Sequence, residues 1–259
     1  MTQGGGTAVY DRIGVGYADL RVPDPRIGAY LLAGLGDART VVNIGAGTGS
    51  YEPDREGVDS CEAIAVIAVE PSAAMLSQRA PGTAPAVQAV AEALPFADKA
   101  FDAALAVLTT HHWEAPEAGL AEMARVSRRQ VVLTWDQAYT SAHFWFLTDY
   151  LPEAAEREGA LAALDAVTQA WPDAEVCAVP VPWDCTDGFF AAYWRRPEAL
   201  LVPAVRASIS GLALLDQRLV DAAVARLAAD LDSGAWAERY ADLLALDELD
   251  CGYRLVVRG

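Results

Sequence analysis

Apolar residues along the chain fall into two kinds of run. The first kind is short and nearly continuous: positions 41–44, 63–69, 87–90, 101–108, 130–135, 175–181 and 252–257. Runs of this length, bounded by turn residues, predict strands buried on both faces of a largely parallel sheet. The second kind repeats every three or four residues. Positions 24–34 carry Ile27, Tyr30, Leu31 and Leu35 at that spacing, with Pro25 at the start and Gly34 and Gly36 at the end. Positions 72–79 open on Pro71-Ser72, and 117–129 turn Leu120, Met123, Ala124 and Val126 to one side. These stretches predict helices. Strands alternating with helices predict an α/β fold with a doubly wound sheet. Helical patterning also fills 139–170 and most of 186–250, the latter broken at Ser233-Gly234.

The first strand leads into Asn43-Ile44-Gly45-Ala46-Gly47-Thr48-Gly49-Ser50. Glycines at alternate positions let the backbone take positive φ and come close to a ligand. The spacing is G-x-G-x-G, which differs from the G-x-G-x-x-G of dinucleotide-binding turns. The second strand ends on Glu70, and an acid at that tip can accept hydrogen bonds from both hydroxyls of a ribose. After the loop, Tyr51-Glu52-Pro53-Asp54-Arg55-Glu56-Gly57 is poor helix material, because Pro53 removes a donor and Gly57 stops a short turn. The fourth strand exits through Thr109-Thr110-His111-His112-Trp113, and Asp136 stands at the tip of the fifth.

The loop 43–50, Val69-Glu70-Pro71-Ser72, the segment Ala91-Glu92-Ala93-Leu94-Pro95-Phe96 and His111-His112-Trp113 follow one another in a known order. In these motifs the chain resembles the class I S-adenosylmethionine-dependent methyltransferases. The small-molecule group related to the ubiquinone/menaquinone methyltransferases is the most similar. The likeness covers about residues 8–136 and beyond them concerns architecture more than motifs. It implies a seven-stranded Rossmann-like sheet in the order 3-2-1-4-5-7-6, with the seventh strand antiparallel, and S-adenosylmethionine as cofactor. Carried onto this sequence, it implies a cofactor site of Asn43, Gly45, Ala46, Gly47 and Gly49 in the loop, Glu70 and Pro71 at the second strand, and Met75 against the adenine. Ala91, Glu92 and Leu108 complete the site, and Tyr17 and Arg21 reach the methionine end from an N-terminal segment. Two positions depart from the family pattern. Val90 stands where an Asp usually meets the adenine amino group, and Asn43 stands where an acid is frequent.

Ligands of open parallel sheets sit beyond the carboxyl ends of the strands. His111 and Asp136 share that edge, so the expected proton acceptor is a His111–Asp136 pair, with Asp136 as a helix cap the alternative. The aromatic stretch His143, Phe144, Trp145, Phe146 and Tyr150 is expected to form a lid or an acceptor-binding wall. The expected division is a cofactor-binding half at 1–136, lid helices and the sixth strand at 137–185, a helical cap at 186–250 and the last strand at 251–259. The cap covers the pocket or offers a surface for a homodimer.

Composition narrows the partners. The formal net charge is −17, with no basic stripe, which disfavours nucleic acid. No run of eighteen apolar residues is present, so no membrane span is expected, and Met1–Gly6 lacks the features of a signal peptide. Cys61, Cys177, Cys185 and Cys251 are scattered without metal-ligand or disulfide spacing, as in a cytoplasmic protein without a metal. The expected function is methyl transfer from S-adenosylmethionine to a small-molecule acceptor of secondary metabolism. The alternative is a cyclase or rearrangement catalyst that binds the cofactor without consuming it. An NAD(P) oxidoreductase and a non-catalytic scaffold are the more distant rivals.

Overall fold

In the computed structural model, residues 21–53, 63–154, 163–213 and 215–259 are described. Tyr17 and Cys61 lie outside them.

The helix α1 (Pro25–Leu35) starts where Asp24 caps it, the carboxylate accepting from the Arg26 N–H at 2.9 Å. Strand β1 (Thr40–Ile44) follows, then β2 (Ala65–Val69), helix α2 (Ala73–Ser77), β3 (Ala86–Val87), β4 (Phe101–Val107), α3 (Pro116–Val126) and β5 (Ser127–Trp135). The second half adds α4 (Gln137–His143), a π-turn over Phe146–Tyr150, α5 (Ala163–Ala170), β6 (Glu175–Ala178) and β7 (Val181–Pro182). Helices α6 (Pro203–Ser208), α7 (Ser210–Ala213), α8 (Gln217–Ser233) and α9 (Ala235–Arg239) lead to β8 (Glu248–Leu249) and β9 (Tyr253–Arg258). Seven strands form one sheet in the order β3-β2-β1-β4-β5-β9-β6, while β7 and β8 pair separately. Within the seven-stranded sheet all pairings are parallel except those of β9 with β5 and β6. This is the expected Rossmann-like order, with the last strand inserted antiparallel between the fifth and sixth.

The sheet is buried on both faces, as continuous apolar strands require. One cluster joins Val42, Ile44, Ala104 and Val132 to Leu120 and Met123 of α3 and Val167 of α5. The other joins Val41, Leu105, Val131 and Leu255 to α1, the lid and the cap. The lid and cap therefore extend the core of the sheet. Phe144, Trp145, Phe146 and Tyr150 are all buried, with Trp145 edge-on to Trp236 and Phe144 edge-on to Phe190. The Trp145 indole donates to the Trp194 carbonyl at 2.7 Å. Phe144, Trp145, Phe146 and Tyr150 pack into the core, His143 is exposed, and none of the five lines the pocket described below.

Three element boundaries differ from expectation. The third strand is only Ala86–Val87, because the chain leaves the sheet there to form the pocket rim. Helix α3 stops at Val126, since Ser127 is already extended and pairs with Phe101. Arg129 consequently lies in β5, where it donates to the Gly34 carbonyl at 2.6 Å. Arg125 binds Glu122 and Asp98 and donates to the carbonyls of Leu94 and Phe96. The sixth strand breaks after Ala178, since Pro180 and Pro182 lack the N–H that a ladder needs.

Candidate active site

The site is built where β1 and β2 end side by side. The N–H groups of Gly45 and Ala46 both donate to the Val69 carbonyl, at 2.8 and 3.0 Å, which ties the start of the loop to the end of β2. Gly45 has φ +69°, and a Cβ there would stand 2.0 Å from Thr109 Oγ1. Only glycine lets the loop fold this close to the exit of β4. Gly47, at φ +53°, donates its N–H to Glu70 Oε2 at 2.8 Å. Ser72 N–H donates to Oε1 at 2.9 Å, and the Ser72 hydroxyl in turn caps α2 by accepting from Met75 N–H. Glu70 is thus buried, 7% exposed, with one loop amide on each oxygen. An ionised carboxylate offers about four lone-pair positions, so two remain for a pair of hydroxyls.

Burial raises the Glu70 pKa, opposed by the N–H groups of Ser72 and Gly47 and by the charge of Arg79. Hydroxyl binding needs the ionised form. Affinity for a ribose-containing ligand is therefore present above the raised pKa and lost as pH falls through it. A titration of S-adenosylhomocysteine by calorimetry across pH 4–8 is expected to show this acid-side loss starting above the ordinary range of a glutamate, roughly 4.3. A loss confined to the ordinary range would contradict the assignment.

The loop, Glu70 and the exits of β3 and β4 enclose a cavity of about 430 Å³, a volume suited to a small ligand. Asn43, Gly45, Ala46 and Gly47 line it from β1, and Glu70, Pro71 and Met75 from β2 and α2. Across from them stand Ala91, Glu92 and Leu108, the last in the strained φ +50° conformation. Glu92 Oε1 accepts from Ala115 N–H at 3.1 Å, which joins two segments of the rim. Val90 is also on the rim, 46% exposed, and offers no polar side-chain atom. Gly49 is not part of the lining. Thr48, Ser50, Tyr51, Ser72, Thr109 and Trp113 line the cavity without having been singled out from the sequence. Tyr51 carried the best missed signal, an aromatic next to the loop in a segment that cannot be helical. Its hydroxyl accepts from Asp24 N–H at 3.2 Å.

Arg21 lines the cavity and is held by Asp187 of the cap. Two hydrogen bonds, at 2.5 and 3.2 Å, and a backbone bridge between the same residues join them. Asp187 is buried and was not foreseen. The N-terminal segment and the cap therefore meet at the cavity through a forked ion pair.

The two histidines lie on the 3-10 turn Thr110–His112, with ring centroids 3.6 Å apart. His112 lines the cavity, whereas His111 packs edge-on against Trp135 at 4.5 Å. The expected His111–Asp136 pair does not form. His111 Nδ1 is buried without a partner, and Asp136 accepts from Tyr139 N–H at 2.9 Å as the cap of α4. The turn rotates His111 into the protein, while the start of α4 takes up the carboxylate. Burial lowers the pKa of His112 to about 4, helped by the nearby Arg21 charge; burial also holds that of His111 well below its ordinary value, helped by its neighbour His112 and by Arg21. Both rings are neutral near pH 7 and able to accept a proton. Among the described residues, no cluster of three His, Cys, Asp or Glu side chains is placed to hold a metal ion. No helix among them is long and apolar enough to cross a membrane.

A glycine cradle, a buried acid at the tip of the neighbouring strand and a cavity beyond the strand ends define a nucleoside-binding α/β protein. The methyltransferase domain family matches residues 42–134. A solved structure of an Anabaena variabilis protein, assigned as a methyltransferase of an antibiotic biosynthesis pathway, is 32% identical, with 93% of this chain and 99% of that chain covered at a TM-score of 0.79. The [4+2]-cyclase SpnF is 15% identical, with 97% and 94% covered and a TM-score of 0.49. An S-adenosylmethionine-dependent methyltransferase from Aquifex aeolicus is 17% identical, with 65% and 91% covered and a TM-score of 0.41. Comparison with curated proteins gives no match. The chain belongs to the S-adenosylmethionine-dependent methyltransferases.

The residues present fit that cofactor. Side chains at positions 45 and 47 would crowd the cradle, the Glu70 carboxylate keeps acceptor capacity for the ribose, and Met75 offers an apolar, adaptable face for a base.

Proposed function

We propose that this protein transfers the methyl group of S-adenosylmethionine to a small-molecule acceptor in the assembly of a secondary metabolite. The observation that carries the reading is the cavity itself, which is lined both by the acid Glu70 and by the neutral imidazole of His112. The antibiotic-pathway assignment of the Anabaena variabilis relative supports the metabolic setting. The acidic balance of the chain supports a small acceptor over nucleic acid.

Glu70 orients the nucleoside through its ribose, and the glycine loop lets the ligand come close to the backbone. Bound S-adenosylmethionine supplies an electrophilic methyl group. The chain's main contribution is alignment of the acceptor for in-line attack. His112 accepts the acceptor's proton. With a pKa near 4 it is a weak base, which suits an amine or an acidic hydroxyl better than an aliphatic alcohol. Trp113 and Tyr51 add aromatic surface beside it. Arg21, fixed by Asp187, closes the end where the N-terminal segment and the cap meet.

His112→Ala is expected to lower turnover by about 100-fold, the smaller end of general-base effects, with S-adenosylhomocysteine affinity little changed. Release of S-adenosylhomocysteine from a panel of amine and phenol acceptors is the assay. His111→Ala is expected to lower the thermal midpoint more than turnover. Equal activity of the His112 variant and the wild type would sink the base assignment. Acceptor conversion without S-adenosylhomocysteine release would sink methyl transfer itself.

A further inference from the structure

The segment that follows the glycine loop opens on Tyr51-Glu52-Pro53, poor helix material. Two charged side chains occupy the space behind the loop. Glu52 Oε1 accepts from Arg79 Nη2 at 2.5 Å, and the two side chains are only 9% and 6% exposed. The other Glu52 oxygen accepts from Ala84 N–H at 3.0 Å. Arg79 also donates to the carbonyls of Ala84, at 3.0 Å, and of Gly47, at 3.3 Å. Gly47 is consequently held from both sides, its N–H by Glu70 and its carbonyl by Arg79. Gly49 does not line the cavity. Its φ of +101° is what requires glycine, and a Cβ there would lie 3.3 Å from Arg79 Nη1 and 3.5 Å from Glu52 Oε2, so the residue packs directly against the ion pair.

We propose that Glu52 and Arg79 are positioning residues for the cofactor, a buried ion pair that fixes the Gly47 peptide, and through it Glu70, in the geometry that receives the ribose. The proposal rests on the cofactor site described above. A buried ion pair is a poor device for stability alone, because desolvation offsets its attraction. This one is placed where it bears on the ligand cradle: one of its remaining contacts holds the Gly47 carbonyl, and the others tie it to both backbone groups of Ala84, just before β3. The Arg79 charge has a second effect, since it acts on Glu70 in the direction that keeps the carboxylate ionised. The other ionisable side chains that line the cavity with Glu70 are Arg21, Tyr51, Glu92, His112 and Glu114.

The test uses the full chain and S-adenosylhomocysteine as the probe, followed by calorimetry at several pH values alongside thermal unfolding. Removing one partner strands a buried charge, so the informative variant is the double substitution Glu52→Gln/Arg79→Met, which removes both. It is expected to fold and to bind the probe about tenfold or more weakly near pH 8, as the loss of one charge-assisted hydrogen bond would give. Its acid-side loss of affinity is expected at higher pH than in the wild type, a shift that a purely structural staple would not produce. A folded double variant with wild-type affinity and an unmoved acid limb would overturn the proposal while leaving the cofactor site intact. A wild-type chain that binds no probe would overturn both. If the double variant does not fold, Arg79→Lys decides. It keeps the charge but loses the forked donors to Gly47 and Ala84, and an affinity within twofold of wild type would overturn the proposal.

Discussion

Glu70→Ala is expected to weaken binding of S-adenosylmethionine by about 100-fold or more. The carboxylate is the acceptor left for the two ribose hydroxyls, and hydrogen bonds to a charged group contribute about 1.5–3 kcal/mol each. Losing two of them is worth roughly 3 kcal/mol at the least, which is about two decades in affinity. The variant also leaves the N–H groups of Gly47 and Ser72 without their present acceptor. Part of the loss is therefore disorder of the loop, and the thermal midpoint should fall as well. Glu70→Gln separates the two effects. It keeps the bulk and one carbonyl oxygen, but it turns an amide donor toward one of the two N–H groups. It should recover part of the stability and little of the affinity. Calorimetry with S-adenosylhomocysteine on both folded variants reads this directly, and unchanged affinity in the alanine variant would remove the ribose acid from the account.

Gly45→Ala is the substitution with the largest expected effect on the fold around the site. The new Cβ would sit 2.0 Å from Thr109 Oγ1 and 2.8 Å from both Cβ and Cγ2 of the same residue. The backbone is at φ +69°, which costs an alanine about 1–2 kcal/mol, and overpacking adds about 1–3 kcal/mol. A total of roughly 2–5 kcal/mol corresponds to a fall of roughly 5–15 °C in thermal midpoint for a chain of this size. Thr109 lines the cavity, so any shift that relieves the clash also distorts the cofactor site. Thr109→Gly in the same chain removes the steric part and should restore some of the midpoint, leaving the cost of the positive φ. A Gly45→Ala protein with wild-type melting and wild-type affinity would show that the loop does not pack against the exit of β4 as described.

The sheet was legible because its central strands carry apolar runs, and burial on both faces is how a sheet satisfies such runs. The cradle was legible because glycines at 45 and 47 and an acid at 70 are demands of backbone geometry and charge that few other residues meet. The histidine assignment failed for a local reason. In an extended chain adjacent side chains point to opposite sides, which left His111 as the ring expected to face the pocket, but Thr110–His112 forms a 3-10 turn, which hands the cavity to His112. Asp136 failed because a carboxylate at the start of a helix has nearby N–H groups to accept from, and α4 begins one residue later. Asp187 and the Glu52–Arg79 pair were hidden for a different reason. Each depends on partners far apart in sequence, and neither is announced by periodicity or spacing. The aromatic stretch from His143 to Tyr150 read as a lid or as an acceptor-binding wall, and the structure packs Phe144, Trp145, Phe146 and Tyr150 into the core, with Trp145 against Trp194 and Trp236.

The central claim is that the nucleoside lies across the tip of β1 with its sugar on Glu70 and its reactive end toward His112. A crystal structure of the complex with S-adenosylhomocysteine measures this directly. The account predicts both ribose hydroxyls within roughly 2.7 Å of the Glu70 carboxylate oxygens, the distance of a charge-assisted bond, and the thioether sulfur on the side of the cavity lined by His112. A nucleoside seated elsewhere, with Glu70 still bound only to Gly47 and Ser72, would contradict it.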